Sequence, residues 1–384
     1  MRIAVLVSGG VDSAVVVDIL SRRGHQLDLY YIRIGRDDGE GDCSADEDIE
    51  MCTLIARKYG LPLKVVSLHE EYWDSVMQYT LRTVKEGLTP HPDMMCNKLI
   101  KFGCFEQRWG KDYDKVATGH YASIKEIEGR YFLATAADPV KDQTDFLAQI
   151  SYEQLSHLMF PLGEFPKSEV RKMALEANLP NASRKDSQGI CFLGKINYND
   201  FIERHLGVRP GPVIEIETGK KIGEHKGFWF HTIGQRKGLG LGGGPWYVVR
   251  KNVRDNVIFV SNGYDTKKQY GRIIPLAEMH WITFNPFEEP DDTILINKPD
   301  ILENGLEVSF KTRHTPEFLT GRLYRTGETD YRLESYSDVQ GIAPGQYAII
   351  YTPDRQLCLG SGMISVPHGA VKKTSMKNND NEKN

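Results

Sequence analysis

Arg2-Ile3-Ala4-Val5-Leu6-Val7-Ser8-Gly9-Gly10-Val11-Asp12-Ser13 decides how the first half of this chain folds. The run from Ile3 to Val7 has no polar alternation, which suits a strand buried on both faces. Ser-Gly-Gly ends it, and Asp12–Arg23 reads as a helix stopped by Gly24. The same beat continues downstream. Strands are expected at Gln26–Ile32, Leu63–Leu68 and Lys115–Thr118, and helices at Asp46–Tyr59, Glu70–Glu86, Asn97–Trp109 and Pro166–Ala177. This alternation predicts an α/β fold with a doubly wound, mostly parallel sheet. Its site belongs at the carboxyl ends of the strands, where Ser8–Ser13, the loop after Ile32 and Gly119-His120 fall.

Beyond Leu206 the chain turns to short strands punctuated by Gly and Pro. They are expected at Val213–Glu217, Phe228–Thr232, Trp246–Arg250 and Val257–Val260, then at Ile294–Ile296, Leu306–Lys311, Thr320–Tyr324, Tyr331–Tyr336, Gln346–Tyr351 and Leu357–Ile364. We therefore divide the chain into an α/β domain (1–204), a small β-rich central domain (205–275), a C-terminal β-barrel (276–366) and a disordered polar tail (367–384).

At the first strand-to-helix junction, paired glycines let backbone amides approach an anion, and the helix N-terminus adds partial positive charge. Ser8 and Ser13 add hydroxyls, and Asp12 is placed to hold Mg²⁺ or to fix the loop. No Gly-Lys-Ser/Thr follows, so this is not a Walker A loop. The hexapeptide Ser8–Ser13 resembles the loop of the ATP pyrophosphatase (PP-loop) superfamily. That resemblance implies cleavage of ATP between its α and β phosphates and adenylation of an oxygen that a nucleophile then displaces.

The 384 residues are 40% hydrophobic and 26% charged, an ordinary soluble mix. No apolar run reaches the ~20 residues that span a bilayer, and Gly-Gly-Val-Asp interrupts any signal-peptide reading of the start. We expect a cytoplasmic protein with no membrane partner. The net charge of −4 is unevenly spread. Between His205 and Ile274 twelve Lys or Arg face five acids, an excess of seven positive charges suited to a phosphate backbone. Six cysteines contain no C-x-x-C pair and no zinc set.

Cys96 sits in His91-Pro92-Asp93-Met94-Met95-Cys96-Asn97-Lys98. With Asp93 as N-cap, Cys96 falls in the first helical turn, where the dipole lowers a thiol pKa. Cys191 sits in Asp186-Ser187-Gln188-Gly189-Ile190-Cys191-Phe192, flanked by glycines at 189 and 194. These stretches, with Thr118-Gly119-His120-Tyr121, Lys141-Asp142-Gln143, Thr232-Ile233-Gly234-Gln235-Arg236-Lys237-Gly238-Leu239, Ala343-Pro344-Gly345-Gln346 and Cys358-Leu359-Gly360, resemble the tRNA-specific 2-thiouridylase family in order, from Arg2 to about Ile364.

The resemblance implies an adenine nucleotide alpha-hydrolase-like first domain and ATP-dependent replacement of the wobble uridine 2-oxygen by sulfur. Cys191 is then the persulfide carrier, Cys96 the nucleophile, and the two form a transient disulfide. Asp93 is an acid or base near the uracil, or a plain helix cap. Leu6, Val7, Ser8, Gly9, Gly10, Val11, Asp12, Ser13, Ile32 and Gly119 are expected to contact ATP with its Mg²⁺. His91, Pro92, Asp93, His120, Lys141, Asp142, Gln143, Arg236, Lys237, Arg313, His314 and Gln346 are expected to contact tRNA. A sulfur-relay protein or cysteine desulfurase supplies the sulfur. Three places depart from the family pattern: His91 where Asn is usual, Thr144-Asp145 in place of Ser-Tyr, and His314 where Tyr is common. The alternatives are another PP-loop RNA sulfurtransferase or synthetase, and a catalytically silent tRNA-binding paralogue.

Overall fold

A computed structural model describes residues 1–35, 43–186, 198–263, 270–288 and 304–366. The expectations for Cys191, for the strand Ile294–Ile296 and for the tail lie outside these residues.

The first region begins with β1 (Arg2–Leu6), α1 (Val11–Arg22), β2 (Gln26–Arg33), α2 (Cys43–Tyr59) and β3 (Leu63–Ser67). Next, α3 (His69–Tyr72) runs through π-helical turns at Trp73–Met77 into α4 (Gln78–Lys85). Likewise α5 (Pro92–Met95) passes through π-helical turns at Cys96–Cys104 into α6 (Phe105–Arg108). The sequence reading gave the second of these a start at Asn97; it starts at Pro92, whose fixed φ suits a first helical position. After β4 (Lys115–Ala117) come a hairpin of β5 (Ser123–Ile127) and β6 (Arg130–Ala134), then α7 (Tyr152–His157), β7 (Leu158–Met159), α8 (Lys167–Glu176) and α9 (Tyr198–Leu206).

The five parallel strands run β3-β2-β1-β4-β7, so the chain reverses direction across the sheet at β1 and β4. β1 shows why its sequence carries no polar alternation. Ile3, Val5 and Val7 pack with α1, α2 and α8, whereas Ala4 packs on the other side with Tyr72, Met95 and Phe105. Helices thus cover both faces, as the sequence predicts.

The central sheet is ordered β10-β11-β8-β9, with β8 (Gly211–Glu215), β9 (Lys221–His225), β10 (Trp246–Asn252) and β11 (Val257–Asn262). The strand expected at Phe228–Thr232 is instead a single 3-10 turn at Phe228–Phe230. Its Phe228 plugs the small core of this sheet with Val213, Val248, Ile258 and Val260.

Finally β12 (Tyr270–Trp281), β13 (Leu306–Lys311), β14 (Leu319–Arg325), β15 (Tyr331–Gln340), β16 (Tyr347–Tyr351) and β17 (Leu357–Ile364) form the antiparallel order β12-β15-β14-β13-β16-β17, and pairing of β12 with β17 closes it into a six-stranded barrel. β17 also takes the hairpin β5–β6 as an extension, through Leu357 and Cys358 beside Ala134 and Leu133. The outer face of the barrel, at Tyr347, Ile349 and Tyr351, shares one core with Met94, Met95, Cys96 and Ile100. The helix bearing Cys96 is therefore held between the parallel sheet and the barrel.

Candidate active site

The loop Ser8–Gly10 leaves β1 at the point where strand order reverses, the place where open α/β sheets bind ligands. Gly9 has φ +71°, a conformation that other residues rarely adopt. Ser13 closes the loop: its hydroxyl accepts the Ser8 amide at 3.2 Å and donates to the Gly10 carbonyl at 3.1 Å. Asn181 Nδ2 and Arg184 donate to the Gly9 carbonyl at 2.9 and 3.1 Å, and Arg184 is itself paired with Asp48 at 2.6 Å. With that carbonyl turned toward these donors, the Gly10 amide and the first-turn amides of α1 are left to face an anion. Gly119, two residues past β4, lies against this turn, where a Cβ would come 3.0 Å from the Ser13 nitrogen. Leu6 and Ile32, both half-buried, mark the adjacent ends of β1 and β2. The residues expected at ATP are thus brought together.

Asp12 is engaged by the protein itself. Lys167 Nζ lies 2.6 and 2.8 Å from its two oxygens, and the Tyr121 hydroxyl donates to it at 2.9 Å. Lys167 also reaches Asp186 at 2.9 Å, which is shared with Lys141 at 3.0 Å and Arg171 at 2.5 Å. Desolvation alone would raise the Asp186 carboxyl. The hydrogen bonds and charges of Lys167 and Lys141 outweigh it and hold that carboxyl at about 2. Of the two roles open to Asp12, fixing the loop is the one these contacts serve. Sequence reasoning missed Lys167, Tyr121, Asn181 and Arg184.

The turn before Cys96 is capped by His91, not by Asp93. His91 Nδ1 accepts the Met94 amide, and Pro92 and Asp93 are the first two helical residues. The cap moves because proline takes the first helical position, leaving the preceding residue as N-cap. Cys96 consequently lies two residues further in, past the first turn, buried beside Ile100 at the start of the π-helical turns. Burial lowers the His91 pKa, and with Nδ1 accepting, the neutral ring carries its proton on Nε2. Gln154 Nε2 donates to the carbonyls of Lys98 and Phe102, both within the π-helical turns. Burial pushes the thiols of Cys104 and Cys358 up, and that of Cys52, beneath the loop, to about 12. These three suit packing rather than nucleophilic chemistry.

Most residues expected at tRNA have partners within the chain. His120 meets Thr118 at 2.8 Å and sits between Phe102 and Phe160, where burial holds its pKa well down. Asp142 and Lys311 form a buried pair at 3.4 Å, and Gln143 clamps the backbone of Tyr121. Gln346 donates to the Pro90 carbonyl at 2.9 Å, just ahead of the turn at His91. Arg313 donates to Gly341 at 2.9 Å, and its guanidinium also lies against Gly234. Arg236 and Lys237 differ: both are exposed on a loop braced by Gln235, whose amide donates to the Lys237 carbonyl at 2.9 Å. Lys251, counted in the same basic stretch, is turned inward onto the His231 carbonyl, and burial lowers it to about 8.

Residues 1–195 match a family model described as a tRNA methyl transferase HUP domain, 199–262 a tRNA methyl transferase PRC-barrel domain, and 288–364 an aminomethyltransferase beta-barrel domain. The tRNA-specific 2-thiouridylase MnmA of Parabacteroides distasonis is 59% identical over 366 residues, 95% of this chain and 99% of that protein. The protein of the same name from Porphyromonas gingivalis is 59% identical over 367 residues, again 95% of this chain and 99% of that protein. Among solved structures, a 4-thiouridine synthetase–RNA complex with bound ATP matches 50% of this chain and 45% of its own at 18% identity; its TM-score of 0.33 is too low to carry weight.

Proposed function

The chain belongs to the tRNA-specific 2-thiouridylase family, and we propose that it converts the wobble uridine of tRNA to 2-thiouridine using ATP. The observation that carries this reading is the anion cradle at Ser8–Ser13, intact at the switch point and braced from outside by Asn181, Arg184 and Lys167. Backbone amides of the cradle take the phosphates. The uracil O2 attacks the α-phosphorus, diphosphate leaves, and the oxygen becomes a leaving group as AMP. Any Mg²⁺ arrives with the nucleotide: Asp12 is paired with Lys167, and among the described residues no group of three His, Cys, Asp or Glu stands together to hold a metal.

Sulfur comes as a Cys191 persulfide loaded by a relay protein or cysteine desulfurase. In one route the Cys96 thiolate attacks the Cys191 sulfur and releases hydrosulfide, which attacks C2 and expels AMP. In the other the terminal sulfur attacks C2 directly, and Cys96 then displaces it from Cys191. Both end in a Cys96–Cys191 disulfide that an external thiol must reduce. With Nδ1 accepting from Met94, His91 keeps an Nε2–H donor at the turn where the family pattern has Asn. Arg236 and Lys237 contact phosphates, and Asp93 stands beside the base as acid or base.

The test is incubation with ATP, a cysteine desulfurase with cysteine as persulfide donor, a reducing thiol and bulk tRNA, followed by mass analysis of nucleosides. ATP-dependent 2-thiouridine, with AMP and diphosphate formed in equal amount, supports the reading. A different thionucleoside, or none, overturns it.

A further inference from the structure

Two of the three departures from the family pattern meet in space. Asp145 and His314 are 169 residues apart, yet His314 Nδ1 lies 2.9 Å from Asp145 Oδ2. Asp145 is 1% exposed, so its carboxylate has been taken out of water and needs a partner. The third departure lies at the same spot. The Phe146 ring stands between His314, 4.7 Å away by centroids, and His91, 5.5 Å away and edge-on. Its carbonyl accepts from Asn97 Nδ2 at 3.1 Å, and Asn97 follows Cys96 directly. Asp145-Phe146 therefore touches the barrel on one side, and the base turn and the Cys96 helix on the other.

We propose that Asp145 and His314 are positioning residues: an ion-paired latch that seats Phe146 against His91 and Asn97, at the two positions where the family pattern carries tyrosines. The latch makes the two positions interdependent. Without His314 the buried carboxylate loses its imidazole partner and keeps the Phe146 amide at 3.2 Å; without Asp145 the imidazole over Phe146 loses the hydrogen bond that aligns it. The latch rests on the reading of His91–Asp93 as the base turn.

The charge has a consequence for pH. The hydrogen bond to Asp145 raises the His314 pKa, against desolvation and the charge of Lys311, with Asp142 adding to the rise. His91 and Asp93 are the other titratable groups on the facing turn. A histidine raised by folding is paired below its ordinary value and loses the pairing as pH climbs through the folded value. Positioning should accordingly weaken on the alkaline side.

The experiment compares full-length wild type, Asp145→Tyr, His314→Tyr and the double variant in single-turnover thiolation of a tRNA transcript with ATP, each chain first loaded with persulfide by a cysteine desulfurase and cysteine, from pH 6 to 9. Each single variant is expected to lose roughly tenfold or more in rate with little change in KM for tRNA, and the double to recover most of it without the wild type's alkaline limb. Additive losses in the double, or an alkaline limb that persists there, overturn the latch. Asp145→Asn serves where a tyrosine fails to fold. Urea midpoints of the same four chains run the cycle without activity, and independent shifts there also overturn it. An inactive wild type overturns the thiouridylase reading alone.

Discussion

Lys167→Met removes the one ammonium that joins Asp12 to Asp186. The Lys167 side chain is only 13% exposed, and Asp12 and Asp186 are 31% and 32% exposed. The Asp186 carboxyl stands at about 2 against an ordinary 3.8, a difference worth on the order of 2.5 kcal/mol. Solvent reaches about a third of that side chain, and Lys141 and Arg171 remain, so the loss assignable to Lys167 there is nearer ~1 kcal/mol. The expected destabilisation at pH 7 is therefore about 1 kcal/mol, carried by Asp186. The sign with pH is fixed. A carboxylate depressed by folding stabilises above its unfolded value and loses that contribution as pH falls toward its folded one. Urea unfolding at pH 7, 5 and 3 should show the two chains converging below about pH 4. Function should suffer as well, because the variant leaves two carboxylates beside the phosphate cradle with one cation fewer. At an effective dielectric near 20 this costs ~1–2 kcal/mol, or roughly 5–30-fold in the Kd for ATP, measured by equilibrium dialysis. A stability difference that stays constant from pH 7 to 3 would refute the electrostatic account. An unchanged Kd would show that Lys167 and Asp12 lie outside the nucleotide's field.

Cys96→Ser and Cys191→Ser should each abolish thiolation, followed by retarded migration of tRNA in mercury-containing gels, and leave tRNA binding intact; thiolation that survives Cys191→Ser removes the persulfide role. Reversing the exposed pair with Arg236→Glu and Lys237→Glu should weaken tRNA binding and flatten its dependence on salt by about two phosphate contacts, read from filter binding across salt concentrations; an unaltered slope places the phosphate contacts elsewhere. Lys311→Met should cost about 3–5 kcal/mol in urea unfolding, since it strands Asp142, which is 3% exposed. Adding Asp142→Leu should return part of it, and a double variant as unstable as the sum would show the pair is not coupled.

What the sequence displayed was whatever is local. Strand, Ser-Gly-Gly and helix follow one another within a dozen residues, so the cradle and the parallel sheet were readable from β1 outward. The brace of that cradle was not. Lys167 lies 155 residues from Asp12, and Asn181 lies 172 from Gly9, and neither sits in a motif that marks it. The cap at His91 was misplaced by one rule outranking another. Asp is a favoured cap, but Pro92 claims the first helical position and the cap falls on the residue before it. The hairpin β5–β6 was legible and overlooked: Glu128-Gly129 takes φ of +50° and +75°, the pair of positive angles that a tight hairpin turn demands. Its attachment to β17, more than two hundred residues away, was not legible at all.

The same distinction explains what became of the residues expected to meet tRNA. A motif marks that a residue matters without saying which way its side chain faces. Asp142 is buried against Lys311 of the barrel, Gln143 holds Tyr121, which in turn holds Asp12, and Gln346 holds the backbone at Pro90. Each of these links ties two distant parts of the chain: barrel to α/β sheet, β4 loop to phosphate cradle, barrel to base turn. A donor engaged inside the protein has to break that bond before it serves RNA, and breaking it at Asp142 uncovers a buried charge. In our reading these residues therefore act on tRNA by fixing the shape of the site, while direct phosphate contact falls to exposed cations such as Arg236 and Lys237. In the same reading the barrel is a wall of the active site: the Thr89 amide donates to the Pro344 carbonyl at 2.8 Å and Gln346 to the Pro90 carbonyl at 2.9 Å, so the turn ahead of Cys96 is held from the opposite end of the chain.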